Sequence, residues 1–133
     1  MEENLQQEIA REVAANKVLV YGKGTKTAPR CGFTLETIEF FNSFGVPFEV
    51  IDVLENMPKR QALAEMTDWP TLPKVFIDGK FYGDTDILGP MAQNGELKTV
   101  LETAFGQPVA EQKQTINLTY QYKTINNSSN SST

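Results

Sequence analysis

The apolar pattern changes period twice between Lys17 and Val53, and few folds are open to a chain that does this. Lys17 to Tyr21 (Lys-Val-Leu-Val-Tyr) is a continuous run of β-formers, too short for a helix. Such a run predicts a strand covered on both faces. From Gly32 to Ser43 the apolar positions Phe33, Leu35, Ile38, Phe40, Phe41 and Phe44 suit a helix with a broad buried face, stopped by Gly45 and Pro47. Phe48 to Val53 (Phe-Glu-Val-Ile-Asp-Val) then predicts a second strand. Strand, helix and strand in this order form a parallel βαβ unit.

The flanking segments extend that frame. Leu5, Ile9 and Val13 stand at helical spacing within residues 5 to 15, and Met57-Pro58 opens a helix running to about Met66. Lys74 to Ile77 and Lys80 to Tyr82 are joined by Asp78-Gly79, a pair that accepts the positive φ angles of a type I′ hairpin. Asp84 to Asn94 and Glu96 to Phe105 read as two closing helices broken at Gly95. A βαβ unit followed by a hairpin and helices predicts a small three-layer α/β sandwich. The domain is placed at residues 1–106. Residues 107–133 are rich in Gln, Asn, Ser and Thr, so they are expected to form a polar, mostly disordered tail. Ile116, Leu118, Tyr120 and Tyr122 alternate with polar residues there, which also suits an added edge strand.

Of the 133 residues, 40% are hydrophobic and 22% charged, enough apolar material for one packed core. A net charge of −5 speaks against nucleic acid as partner, because no basic patch offsets phosphate repulsion. No apolar run approaches the ~18 residues of a membrane span, and the start Met1-Glu2-Glu3-Asn4 lacks the basic region of a secretory signal. A cytoplasmic location is the expectation, and a processed organellar protein would look the same.

Chemistry centres on Cys31, the only cysteine, in Pro29-Arg30-Cys31-Gly32-Phe33-Thr34. One thiol closes no internal disulfide and fills no four-ligand zinc or iron-sulfur shell. The chain has no histidine, so a Cys-His nucleophile pair and histidine-ligated haem are excluded. Reaction at Cys31 therefore needs thiols from outside; the competing expectation is a buried, inert cysteine. Its place between strand and helix, with Lys23 and Arg30 near in sequence, favours thiolate, the form that attacks disulfides and binds soft metals.

Two further motifs stand out. Trp69-Pro70-Thr71-Leu72-Pro73 precedes a strand and suggests a fixed loop, with Pro73 a candidate cis proline against the commoner trans form. Gly83-Asp84-Thr85-Asp86 begins a helix, where Thr85 or Asp86 would serve as cap, as ligand site, or as both. Taken in order, Lys23-Gly24-Thr25, Cys31-Gly32-Phe33-Thr34, Trp69-Pro70-Thr71-Leu72-Pro73 and Gly83-x-x-Asp86 closely resemble the monothiol glutaredoxins, whose active site reads Cys-Gly-Phe-Ser. The similarity covers about residues 5 to 105, including Asp52-Val53-Leu54-Glu55, Arg60-Gln61 and Asn94-Gly95-Glu96-Leu97.

The resemblance implies a thioredoxin-like fold with a four-stranded mixed sheet. It implies glutathione as ligand, with its glycine carboxylate at Lys23 and Arg60, its cysteinyl backbone at Leu72 before Pro73, and its γ-glutamyl group at Thr85 and Asp86. It also implies a homodimer in which two Cys31 sulfurs and two glutathione sulfurs hold one [2Fe-2S] cluster for transfer to acceptor proteins, with BolA-like proteins as further partners. Cys31 is then both catalytic residue and metal ligand, with weak or no oxidoreductase activity. The alternatives are a glutathione-dependent monothiol oxidoreductase and a non-redox docking module. Two positions depart from the pattern. Thr34 replaces the usual serine and is expected to add a methyl group beside the cluster pocket. Asp84 replaces a second glycine, where an unusual φ and a negative charge are expected to weaken glutathione binding. Thr85 stands where many relatives carry a second cysteine, so no fallback thiol remains.

Overall fold

A computed structural model of the chain describes residues 3–109. The elements are α1 (Leu5–Ala15), β1 (Val18–Gly22), α2 (Gly32–Phe44), β2 (Glu49–Asp52), α3 (Met57–Thr67), β3 (Lys74–Ile77), β4 (Lys80–Gly83), α4 (Thr85–Asn94) and α5 (Glu96–Phe105). The strands form one mixed sheet in the order β2-β1-β3-β4. β1 runs parallel to β2, with Leu19 opposite Glu49, and antiparallel to β3, with Tyr21 opposite Lys74. Asp78 and Gly79 both take positive φ, 51° and 83°, as the predicted turn between β3 and β4 demands.

Alternation along the strands sorts the core into two layers. Val18, Val20, Val75 and Ile77 pack with Phe40, Phe41 and Phe44 of α2, Leu88 of α4 and Leu97 and Leu101 of α5. On the opposite face Leu19, Tyr21 and Phe76 meet Ile9 of α1 and Ala62 and Leu63 of α3. All five β1 residues are buried, as a central strand covered on both faces must be. Three helices lie on one side and two on the other.

Three buried features were not expected from the sequence. Lys59 is almost fully enclosed, with its ammonium 2.9 Å from Glu8 and 2.8 Å from Glu12 of α1, and Glu12 in turn accepts the Tyr21 hydroxyl at 2.7 Å. Charge thereby fastens α1 to α3 across the second core layer. Lys74 is also buried and is described with the site below. Val109, which the sequence assigns to the tail, packs on the first core layer and donates its N–H to Glu102 at 3.1 Å. The remaining tail, including the alternating Ile116, Leu118, Tyr120 and Tyr122, lies outside the described residues. No helix among the described residues is long and apolar enough to cross a membrane.

Candidate functional site

The turn from β1 to α2 is tied down at both ends. The Lys23 N–H donates to Thr34 Oγ1 at 3.1 Å, and the Gly24 N–H donates to Asp52 Oδ1 at 2.9 Å. Arg30 N–H donates back to the Lys23 carbonyl at 2.8 Å, closing a narrow loop that sets Lys23 beside Cys31. Gly24 sits at the crossing with φ 91°, where a Cβ would come within 2.5 Å of the Ala28 carbonyl oxygen and the Arg30 nitrogen. Only glycine fits there.

Cys31 is the N-cap residue of α2 and is partly exposed. Partial burial opposes ionisation of its thiol, but the backbone N–H groups of Thr34 and Phe33, the Lys23 charge and the Thr34 hydroxyl together outweigh it, lowering the thiol below its ordinary value. Cys31 is thus not walled off from solvent, contrary to the competing expectation.

The sulfur opens into a cleft of about 440 Å³, within the range of small-molecule sites. The residues to which the sequence assigns a catalytic, metal-ligating or glutathione-binding role all line it: Lys23, Cys31, Arg60, Leu72, Pro73, Thr85 and Asp86. The cationic wall carries Lys23 from the β1–α2 loop and Arg60 from α3. One guanidinium nitrogen of Arg60 donates to the Leu54 carbonyl at 3.0 Å, which fixes the side chain while its other N–H groups stay available to an anion. The Leu72–Pro73 peptide bond is cis. Lys74, directly after it, donates from its ammonium to the carbonyls of Trp69 and Thr71, the latter at 3.0 Å. Both partners are neutral, and burial pushes Lys74 down to about 8.

The far end of the cleft departs from the sequence expectation. Asp84, rather than Thr85 or Asp86, caps α4: its carboxylate accepts the Asp86 N–H at 2.9 Å. Asp84 itself has φ −139°, an ordinary extended value, and the positive φ of 83° falls on Gly83. The backbone strain expected at Asp84 does not arise. The Thr85 side chain is buried and donates to Glu36 Oε1 at 2.6 Å, so its hydroxyl faces α2 instead of the cleft. Thr34 is likewise fully buried, with its methyl group against Gly22, where an added Cβ would stand 2.8 Å away. It does not line the cleft. Phe33, more than half exposed, lines it with Pro70 and Thr71, three residues that carried no role of their own in the sequence beyond membership of their motifs. The sequence pattern sets Phe33 and Leu35 on the buried face of α2, but both are exposed in the first turn, because the core-facing stripe begins at Thr34, Thr37 and Ile38.

A family profile described as Glutaredoxin matches residues 18–82. A protein of Synechocystis sp. named an uncharacterized monothiol glutaredoxin ycf64-like is 47% identical over 92 residues, covering 69% of this chain and 86% of that one. The chain belongs to the glutaredoxin family. With a single cysteine, this glutaredoxin is of the monothiol kind that its relatives' names describe. Glutaredoxin 4 of Buchnera aphidicola is 36% identical over 101 residues, covering 76% of this chain and 94% of its own length. Monothiol glutaredoxin-S7, chloroplastic, of rice is 45% identical over 92 residues, but this glutaredoxin spans only 55% of that protein. Among solved structures, reduced apo GrxS14 of poplar is 38% identical with a TM-score of 0.69, over 77% of this chain and 94% of that one. A buckwheat glutaredoxin-glutathione complex is 25% identical with a TM-score of 0.70, over 80% of this chain and 98% of that one. The thioredoxin-like fold expected from the sequence is therefore the fold of this glutaredoxin.

Proposed function

We propose that this monothiol glutaredoxin binds glutathione in the Cys31 cleft and, as a homodimer, carries a [2Fe-2S] cluster that it transfers to acceptor proteins. The observation that carries the reading is one thiolate-biased sulfur opening into a cleft whose wall bears Lys23 and Arg60. The glycine carboxylate of glutathione pairs with those two cations, and its cysteinyl backbone lies along the Leu72 edge beside Pro73. The γ-glutamyl group reaches Thr85 and Asp86; glutathione as the ligand is supported by the glutathione complex of the similar buckwheat protein.

Such a cluster takes four thiolate ligands. Among the described residues no group of three or more His, Cys, Asp or Glu could hold a metal. Two Cys31 sulfurs and two glutathione sulfurs complete the set, and ligands on a diffusible tripeptide suit release to an acceptor. A BolA-like protein is a further partner in this reading; nucleic acid and membrane are not. A reducing compartment is the proposed setting, the cytoplasm being the simplest, although the rice relative is named as chloroplastic.

The depressed Cys31 thiol also favours a second reading, a glutathione-dependent oxidoreductase. Its thiolate attacks the glutathione sulfur of a glutathionylated protein, the protein thiolate leaves, and a Cys31-glutathione disulfide forms. A second glutathione thiolate then releases Cys31 and departs as glutathione disulfide.

Anaerobic reconstitution with iron, sulfide and glutathione separates the readings. The carrier gives a coloured, glutathione-dependent dimer that is lost in Cys31→Ser. A colourless monomer that turns over a glutathione mixed disulfide supports the oxidoreductase, and absence of both supports the docking module.

A further inference from the structure

We infer that Lys74 is a positioning residue for the proposed tripeptide site: buried behind the loop of residues 69–73, it aims the Leu72 N–H into the Cys31 cleft. The inference rests on the proposed glutathione reading and deepens it.

A lysine inside a core needs a physical reason. Lys74 is 1% exposed, lies opposite Tyr21 in the sheet and has its ammonium 6.0 Å from the centre of the Phe81 ring. That ammonium donates to the carbonyls of Trp69 and Thr71 and enters no ion pair among the described residues. Burying a charge against neutral groups costs stability that an apolar side chain would keep. Its effect is to order a loop that little else holds. Pro70 and Pro73 have no N–H to donate, and outside the regular elements no backbone-to-backbone hydrogen bond reaches residues 69–73. The Thr67 hydroxyl is 3.5 Å from the Trp69 carbonyl, at the weak limit of such a bond, whereas the Thr71 carbonyl accepts from Lys74 at 3.0 Å.

That one bond sets a direction. Thr71–Leu72 is a trans peptide, so its carbonyl and its N–H point in opposite directions within one plane. With the Thr71 carbonyl drawn inward to Lys74, the Leu72 N–H points outward, where Thr71, Leu72 and Pro73 line the cleft. Among the described residues nothing accepts that N–H. It is the donor left for a peptide carbonyl of the ligand, and the ammonium behind the same peptide unit polarises it into a stronger one. A thiol without an amide gains nothing from it. Nor does Lys74 act through the sulfur: partial burial raises the Cys31 thiol, and the groups that lower it are the Thr34 and Phe33 N–H, Lys23 and the Thr34 hydroxyl.

The test uses the full reduced chain equilibrated with glutathione disulfide or with the disulfide of 2-mercaptoethanol, each at a fixed ratio to its thiol. In each case Cys31 thiolate attacks the disulfide, one mixed disulfide with Cys31 forms and one thiolate is released. Intact mass after an acid quench reads the fraction bound, and the two fractions together give the preference for the peptide. Lys74→Met should lower that preference about tenfold, as expected for loss of one well-aimed hydrogen bond, with mercaptoethanol binding and the midpoint of Cys31 alkylation unmoved. Lys74→Gln, which keeps N–H donors without the charge, should restore part of it. In the wild type the Leu72 amide should exchange freely with deuterium in the reduced chain and slowly once glutathione occupies Cys31, a readout that stands even if Lys74→Met fails to fold.

A Lys74→Met chain with the wild-type preference, a fall shared equally by both thiols, a Lys74→Gln chain no better than Lys74→Met, or a Leu72 amide already protected in the reduced chain overturns the inference and leaves the glutathione cleft standing. A wild type with no preference for glutathione over mercaptoethanol overturns the proposed function, and the inference with it.

Discussion

Two glycines flank the loop that presents Cys31, and alanine should act on them in opposite directions. At Gly24 the backbone φ is 91°, a conformation costing a side chain roughly 1–2 kcal/mol. The new Cβ would also sit 2.5 Å from both the Ala28 carbonyl oxygen and the Arg30 nitrogen. Both are backbone atoms, and the Gly24 and Arg30 amides are held in hydrogen bonds, so relief requires the loop itself to move. Overpacking of this kind adds about 1–3 kcal/mol, which puts Gly24→Ala near 3 kcal/mol of lost stability. Gly32 is exposed and begins α2, and a methyl group added there would meet no atom within 4 Å. Gly32→Ala should therefore stabilise by about 0.5 kcal/mol through helix propensity. Urea unfolding with unchanged slope reads both differences as shifts of midpoint. A Gly24→Ala loss below about 1 kcal/mol, or an equal loss at Gly32, would show that the loop is not the rigid support described here.

Other outcomes follow from the buried charges and the thiol. Lys59→Met strands Glu8 and Glu12 and should cost about 3 kcal/mol by urea unfolding. Burial alone would lower Lys59, but Glu12 and Glu8 raise it, while hydrogen bonding to Lys59 leads the lowering of Glu8. The pair's contribution should thus vanish as pH falls through the lowered Glu8 value and again as it rises through the raised Lys59 value; a pH-independent difference between wild type and Lys59→Met would contradict this. Lys74, pushed down to about 8 by burial, gives up its proton in the folded chain before the unfolded one does. Stability of wild type relative to Lys74→Met should therefore rise with pH from about 8 to the ordinary lysine value, by at most about 1.4 kcal/mol per pH unit, and stay level below 8. The pH profile of Cys31 alkylation should have its midpoint below that of a free thiol, and Lys23→Met should move it upward; an unmoved midpoint removes Lys23 from the account.

Local signals carried far in this chain because each was confirmed by its neighbours. Asp78-Gly79 fixed the hairpin, Gly95 divided α4 from α5, and period changes located the strands to within one or two residues. The motif residues met in one cleft because they occupy the ends of β1, α3, β3 and α4, which the sheet order gathers on one side. What escaped sequence reading depends on contacts between distant segments. Lys59 looks solvent-exposed until α1 supplies Glu8 and Glu12, and Lys74 until the Trp69–Thr71 carbonyls turn toward it. The direction of the Thr85 hydroxyl is set by Glu36, 49 positions earlier. The choice of Asp84 as cap depends on where the left-handed residue falls, and it falls on Gly83.

A tripeptide thiol lying in the Cys31 cleft is what both the carrier and the oxidoreductase readings require. Backbone amide spectra of the full reduced chain, titrated with glutathione, test that most directly. Shifts should be confined to the two walls, at Lys23, Phe33, Leu72 and Thr85, and should shrink when Lys23 and Arg60 are both replaced by methionine. Shifts centred elsewhere, such as the apolar groove between Val13 of α1 and Phe81 of β4, or a titration indifferent to Lys23 and Arg60, would contradict it.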